Sequence, residues 1–237
     1  MPSLALFGST GAVGGQVLRA AAALPGYDRV HEVGRRSAEL GDSKVSFQAV
    51  DFETIDKDEA LRKLGPDVVI SALGTTRALA GSAAQFRKID HDYVVEGARA
   101  LRDASKQQRL IYCSSRGASA SSMFLYPNSK GVTERDLASL GYSETIIFRP
   151  GYLAEANRSR TRTLEHIFGT YIIPVLAKIG SNVQIPVQQL GPAMVKAGLL
   201  GTERLLAAGI GHKERSGDAE FLLIGNDEAL KLADMTV

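Results

Sequence analysis

Leu4-Ala-Leu-Phe7 runs straight into Gly8-Ser-Thr-Gly11-Ala-Val-Gly14, and this stretch decides the fold. The apolar run reads as a strand. Beyond the glycines, Val13, Val17, Leu18, Ala21 and Leu24 recur at roughly helical spacing until Pro25-Gly26. Strand, glycine turn and helix in that order place backbone amides where a helix N-terminus binds anionic oxygens. Gly8 permits a tight bend off the strand, Gly11 lets the backbone approach a pyrophosphate, and Gly14 allows the helix to pack closely on the sheet. The amides of Thr10, Gly11, Ala12 and Val13 are the candidate phosphate donors. Three glycines also occur in ordinary loops; the strand before and the helix after favour nucleotide binding.

Outward from this unit, short apolar runs alternate with helix-period segments, the pattern of a parallel sheet with helices on both faces. Further strands are expected at Arg29–Val33, Val45–Val50, Val68–Leu73, Leu110–Cys113 and Thr145–Phe148. A long helix starts at about Ser82, with Phe86, Ile89, Tyr93, Val94 and Leu101 on one stripe. After Arg149-Pro-Gly151 the alternation loosens into a helical segment at 160–180, a strand at Val183–Val187, a helix through 190–207 and a strand at Phe221–Ile224. The expected fold is α/β, a doubly wound parallel sheet in one domain over 1–237. Its cofactor-binding core would span 1–150, with a small substrate-side extension at 151–237.

The 237 residues are 44% hydrophobic and 23% charged, an ordinary globular composition. A net charge of +2 gives no electrostatic reason to expect nucleic acid or a general membrane-surface affinity. The one cysteine, Cys113, rules out an intrachain disulfide and fits a reducing compartment; inside an expected buried strand it reads as a small core residue. His31, His91, His166 and His212 show no ligand spacing, so no metal is expected. No N-terminal targeting segment is visible, and the apolar stretch 167–177 falls well short of the ~20 residues of a spanning helix and contains Pro174. Residues 163–180 have three readings: a lid over substrate, a membrane-touching helix, or plain core.

The chemistry-bearing pair is Tyr126 and Lys130. Four residues is about one helical turn, so both lie on one helix face. A phenol titrates near ~10, and a neighbouring ammonium stabilises the phenolate, which makes Tyr126 a candidate general acid/base. Pro127 suits a first helical turn and puts Tyr126 at the mouth of the site. On a helix surface alone the Tyr-x-x-x-Lys pattern is common; its place twelve residues after Ser114 gives it weight. Tyr112-Cys-Ser-Ser-Arg116 sets the hydroxyls of Ser114 and Ser115 at the carboxyl edge of the sheet, and one of them would hold a substrate carbonyl.

Where an NAD site would carry an acidic residue, this chain has Gly34-Arg35-Arg36, and two guanidiniums can clamp a 2′-phosphate. NADPH/NADP+ is therefore the expected cofactor, against a plain solvated basic pair. Asp51 could accept from an adenine amino group or be a simple loop carboxylate. Leu73 and Gly74, among small residues after the fourth strand, would pass close to the cofactor's ribose. Asp90 and Asp92 read as solvated.

Together these residues resemble the atypical short-chain dehydrogenases of Rossmann type, and more closely the Tat-interactive-protein oxidoreductase family and its fungal mitochondrial relatives. The resemblance spans about residues 3–200. It rests on the glycine turn, Gly34-Arg-Arg36, Val50-Asp-Phe52, Leu73-Gly-Thr-Thr-Arg77, Ser114-Ser-Arg-Gly-Ala118, Phe124-Leu-Tyr-Pro-Asn-Ser-Lys-Gly131 and Phe148-Arg-Pro-Gly151. It implies NADPH binding, Tyr126 as proton donor and Lys130 on the nicotinamide ribose. It also implies Leu153 flanking the nicotinamide and Arg160 reaching cofactor or substrate. Typical members use the second of the paired hydroxyls, here Ser115, and place an asparagine for a relay water where this chain has Asp90. A small-molecule carbonyl substrate follows, and an NADPH-sensing or scaffold protein with protein partners is the competing reading. A cytoplasmic chain with at most peripheral contact at the mitochondrial outer surface is the expected location.

Overall fold

The computed structural model describes residues 1–154 and 184–237. The six apolar runs of the N-terminal part form β1 (Ser3–Phe7), β2 (Arg29–Gly34), β3 (Val45–Ala49), β4 (Val68–Ser71), β5 (Arg109–Cys113) and β6 (Glu144–Phe148). Among the described residues, β7 (Tyr152–Ala154), β8 (Gln184–Pro186), β9 (His212–Ser216) and β10 (Ala219–Ile224) follow. The main sheet has eight strands in the order β3-β2-β1-β4-β5-β6-β10-β9, and β7 and β8 form a separate parallel pair. Every neighbour pairing in the main sheet is parallel except that of β9 with β10.

The expected doubly wound α/β fold is present, because successive side chains of a central strand feed opposite faces. Leu4 and Leu6 of β1 join one core with Val17, Ile70, Ile111 and Met194, whereas Ala5 and Phe7 join the other with Val69, Val94, Leu101 and Tyr112. The first core lies under α1 (Ala12–Ala23), α7 (Val187–Ala207) and α8 (Asn226–Asp234). The second lies under α5 (Tyr93–Leu101) and α6 (Leu125–Ala138). The short helices α2 (Glu59–Arg62) and α3 (Arg77–Ala80) lie in the connections on either side of β4.

The single long helix expected from Ser82 is instead α4 (Ala83–Arg87), a π-helical turn at Lys88–Asp92, and α5. Asp92 is exposed as expected, but Asp90 is wholly buried. Its position explains this. Asp90 stands four residues after Phe86 and four before Val94, on the stripe that faces the sheet.

The 151–237 extension is partly built into the main sheet. β10 lies beside β6, and α7 runs across α1 and the sheet. The strand expected at Val183–Val187 is realised as β8, and the helix expected through 190–207 begins at Val187 and is broken by a kink at Gly201, where φ is 73°. The helical segment at 160–180, the lid or membrane reading of 163–180, the apolar stretch 167–177 and Arg160 lie outside the described residues. Among the described residues no helix is long and apolar enough to cross a membrane.

Candidate nucleotide and catalytic site

Because β1 to β6 run parallel, their carboxyl ends share one edge, and the strand order reverses between β1 and β4, the place where open α/β sheets take ligands. The glycine turn sits there. Gly8 has φ 87°, and the Gly11 amide donates to its carbonyl at 2.9 Å. A Cβ on Gly14 would stand 2.0 Å from the Gly8 oxygen, so only glycine lets α1 press this closely on the turn. No side chain caps the start of α1 at Gly11. Ser9, Thr10, Gly11 and Ala12 line a cleft of about 550 Å³ that also touches Arg19 and Gln188. An uncapped helix start over a cradle that a methyl group would fill suits a phosphate group.

Arg35 and Arg36 follow β2, are exposed, and make no hydrogen bond or ion pair among the described residues. Behind them lies a residue that the sequence reading missed. Glu32 is 1% exposed; its carboxylate accepts from the Ser37 hydroxyl at 2.7 Å and from the Ala38 amide. The signal was a lone carboxylate inside an apolar strand, which is affordable only with donors at hand. Asp51, after β3, accepts from the Glu53 amide at 3.0 Å and borders a second cleft with Val50 and Thr54.

α6 carries Tyr126 and Lys130 one turn apart. Tyr126 is 45% exposed near the start of the helix, its ring 6.0 Å from that of Phe86. Lys130 is buried. Its ammonium donates to the Tyr112 hydroxyl at 2.9 Å and lies 3.2 Å from Asp90 Oδ2. The lysine thus spends its direct contacts on Tyr112 and Asp90, not on Tyr126. Burial pulls the Lys130 pKa down, but Tyr112 and Asp90 outweigh it and hold the ammonium well above its ordinary value. Burial pushes the Tyr112 phenol far up, against the pull of Lys130. The Cys113 thiol is pushed up to about 11 by burial, which makes it a poor nucleophile at neutral pH.

Gly74 and Leu73 follow β4. Gly74 lies against this pair: a Cβ there would meet Asp90 Oδ1 at 3.2 Å and Lys130 Nζ at 3.6 Å. Among the described residues, the buried side-chain polar atoms without a hydrogen-bond partner are the hydroxyls of Ser71, Ser114, Ser115 and Ser129, together with Asp90 Oδ2, which has the Lys130 ion pair instead. They sit at the carboxyl ends of β4 and β5, in the π-helical turn and on α6. Buried polar atoms normally find partners, so their concentration here marks a place suited to a polar ligand. Leu153, on β7, is half-buried against the α1 and α7 core.

No protein-family model matches the chain. The Emericella nidulans protein named "Protein fmp52, mitochondrial" is 34% identical over 218 residues, which cover 88% of this chain and 92% of that protein. A nucleoside-diphosphate-sugar epimerase from Agrobacterium tumefaciens superposes with a TM-score of 0.66 at 16% identity, covering 85% of this chain and 70% of the epimerase. A short chain dehydrogenase from Burkholderia cenocepacia, solved with NADP, has a TM-score of 0.61 at 18% identity, covering 98% of this chain and 91% of its own.

Proposed function

The chain belongs to the Fmp52 family, and we propose that it is an NADPH-dependent oxidoreductase reducing the carbonyl of a small or lipophilic substrate. One observation carries the reading. Tyr126 and Lys130 share a face of α6, at the edge where the orphaned hydroxyls of Ser114 and Ser115 are buried.

In this reading the amides of Thr10 to Val13 hold the pyrophosphate, with Gly8, Gly11 and Gly14 giving the backbone room. Arg35 and Arg36 take the 2′-phosphate, Asp51 the adenine edge, and Leu73 and Gly74 the ribose. Leu153 flanks the nicotinamide, and Arg160 reaches cofactor or substrate. Bound NADPH supplies the hydride. The protein's part is the proton and the geometry: the Tyr126 phenol protonates the carbonyl oxygen, and the Ser115 hydroxyl, or that of Ser114, orients it. Lys130 supplies a fixed positive charge beneath both. Solved fold neighbours hold NADP, as in Burkholderia cenocepacia, or NAD+, as in Bordetella bronchiseptica, which supports a nicotinamide cofactor; the choice of NADPH rests on Arg35 and Arg36. The finer likeness to the Tat-interactive-protein oxidoreductases points the same way.

The relatives' name suggests a mitochondrial association. A cytoplasmic chain, one domain over 1–237, attached peripherally to the outer mitochondrial surface or to a protein there, fits that name. The contact would fall at the apolar stretch 167–177.

The deciding experiment combines calorimetry of NADPH and NADH with NADPH oxidation across an aldehyde and ketone panel. NADPH should bind more tightly, and Tyr126→Phe should abolish turnover while retaining binding. Equally slow oxidation by wild type and Tyr126→Phe, with binding intact in both, would replace catalysis by NADPH sensing. Equal or tighter NADH binding would overturn the cofactor assignment.

A further inference from the structure

Three separate segments converge on the ammonium that α6 carries. Tyr112 comes from β5, Asp90 from the π-helical turn, and the loop after β4 closes over them, its Thr75 amide donating to Asp90 Oδ1 at 3.2 Å. Asp90 is wholly buried and Lys130 is 4% exposed. We infer that Asp90 and Tyr112 are positioning residues, which hold the Lys130 ammonium charged and fixed where the cofactor's ribose would meet it. The inference rests on the proposed function for its ligand.

The charges leave little choice of partner. The groups that face Lys130 are the Tyr112 phenol, the Asp90 carboxylate and, from its own helix, the Tyr126 phenol; the Cys113 thiol lies near enough to feel its charge. Tyr112, its phenol pushed up by burial, supports the ammonium by accepting its hydrogen bond, and Asp90 adds the full opposite charge. Among the described residues Asp90 is the one carboxylate in contact with Lys130. A buried charge that loses its partner is costly, and a lysine escapes that cost by giving up its proton. Asp90 therefore decides whether the site carries a positive charge at neutral and mildly alkaline pH, and Tyr112 decides where that charge points.

NADPH titration by fluorescence from about pH 7 to 9, beside thermal unfolding, tests this on wild type, Asp90→Asn, Tyr112→Phe, Lys130→Met and the Asp90→Asn/Lys130→Met double variant. Lys130→Met should bind NADPH about tenfold more weakly at every pH, the loss of one charge-assisted hydrogen bond. Asp90→Asn should match wild type at the low end and fall toward Lys130→Met as pH rises, a slope absent from wild type. Tyr112→Phe should weaken binding without adding a slope. If Asp90→Asn melts early or fails to fold, the double variant should recover stability, because it removes the orphaned charge. Should Asp90→Asn track wild type at every pH while Lys130→Met binds weakly, the inference falls and the functional reading stands. A double variant no more stable than an unfolded Asp90→Asn also overturns it. Lys130→Met binding as wild type would remove the functional reading, and the inference with it.

Discussion

Arg149, just past β6, grips the buried carboxylate of Glu134 on α6 at two points, Nε 3.0 Å from Oε1 and Nη2 2.6 Å from Oε2. Its Nη1 also reaches Glu214 of β9 at 3.1 Å. The arginine of the Arg-Pro-Gly turn thus ties the helix of Tyr126 and Lys130 to the sheet and to the C-terminal hairpin. Glu134 is 1% exposed, so Arg149→Met should strand its charge. The expected loss is about 3 kcal/mol, the lower end for a broken buried pair because the arginine keeps some solvent contact. Urea unfolding of the variant measures it.

Arg35→Ala with Arg36→Ala should weaken NADPH and leave NADH binding unchanged, since neither guanidinium makes a hydrogen bond or ion pair among the described residues. Each phosphate hydrogen bond lost should cost about 1.5–3 kcal/mol. Parallel calorimetric titrations with the two nucleotides read the difference directly.

Glu32 holds the loop that presents those arginines. Glu32→Gln keeps its shape but weakens its acceptance from Ser37 and Ala38. NADPH affinity should fall by about 1 kcal/mol while NADH affinity stays constant. A substitution that weakened both nucleotides equally would assign Glu32 to general stability alone.

His91 gives a pH signature. Its ring nitrogens lie 2.7 Å from Asp92 and 2.9 Å from Asp136, joining the π-helical turn to α6. Burial lowers its pKa, but the two carboxylates outweigh this and raise it above the ordinary value. A raised folded pKa contributes stability that is complete below the unfolded value of ~6.5 and is lost as pH climbs through the folded one. His91→Gln should therefore be less stable than wild type at about pH 6, with the gap narrowing in alkaline buffer. Thermal melts of both proteins across that range test the direction.

The strands of the N-terminal part were legible because runs such as Val68-Val-Ile are buried on both faces and must be apolar throughout. β9 was not: His212-Lys-Glu-Arg-Ser216 is an edge strand, where charge blocks further pairing and erases the apolar signal. The π-helical turn was also hidden, since residues 83–101 satisfy a plain helical period. At the site, the glycine turn and the Tyr126–Lys130 spacing were readable as local patterns. The partners of Lys130 were not, because Tyr112 and Asp90 reach it from different segments and only the folded sheet brings them together. Asp90 and Glu32 share one lesson: a carboxylate at an apolar position is worth reading as buried and partnered.

The strand that covers the outer side of β6 is drawn from the far end of the chain, with Leu222, Leu223 and Ile224 set against Ile146, Ile147 and Phe148. On the ribosome, every glycine of the nucleotide turn and both residues of the Tyr126–Lys130 pair are made long before β10 emerges. Through that interval Ile146-Ile-Phe148 is an unpaired apolar edge, a template on which nascent chains can pair with one another. A fragment ending near residue 150 would hold the glycine turn and the catalytic pair and still lack a closed sheet. The nucleotide-binding half should therefore fold poorly when made alone, and the yield of the whole chain in a cell should depend on how well that edge is shielded until synthesis is nearly over.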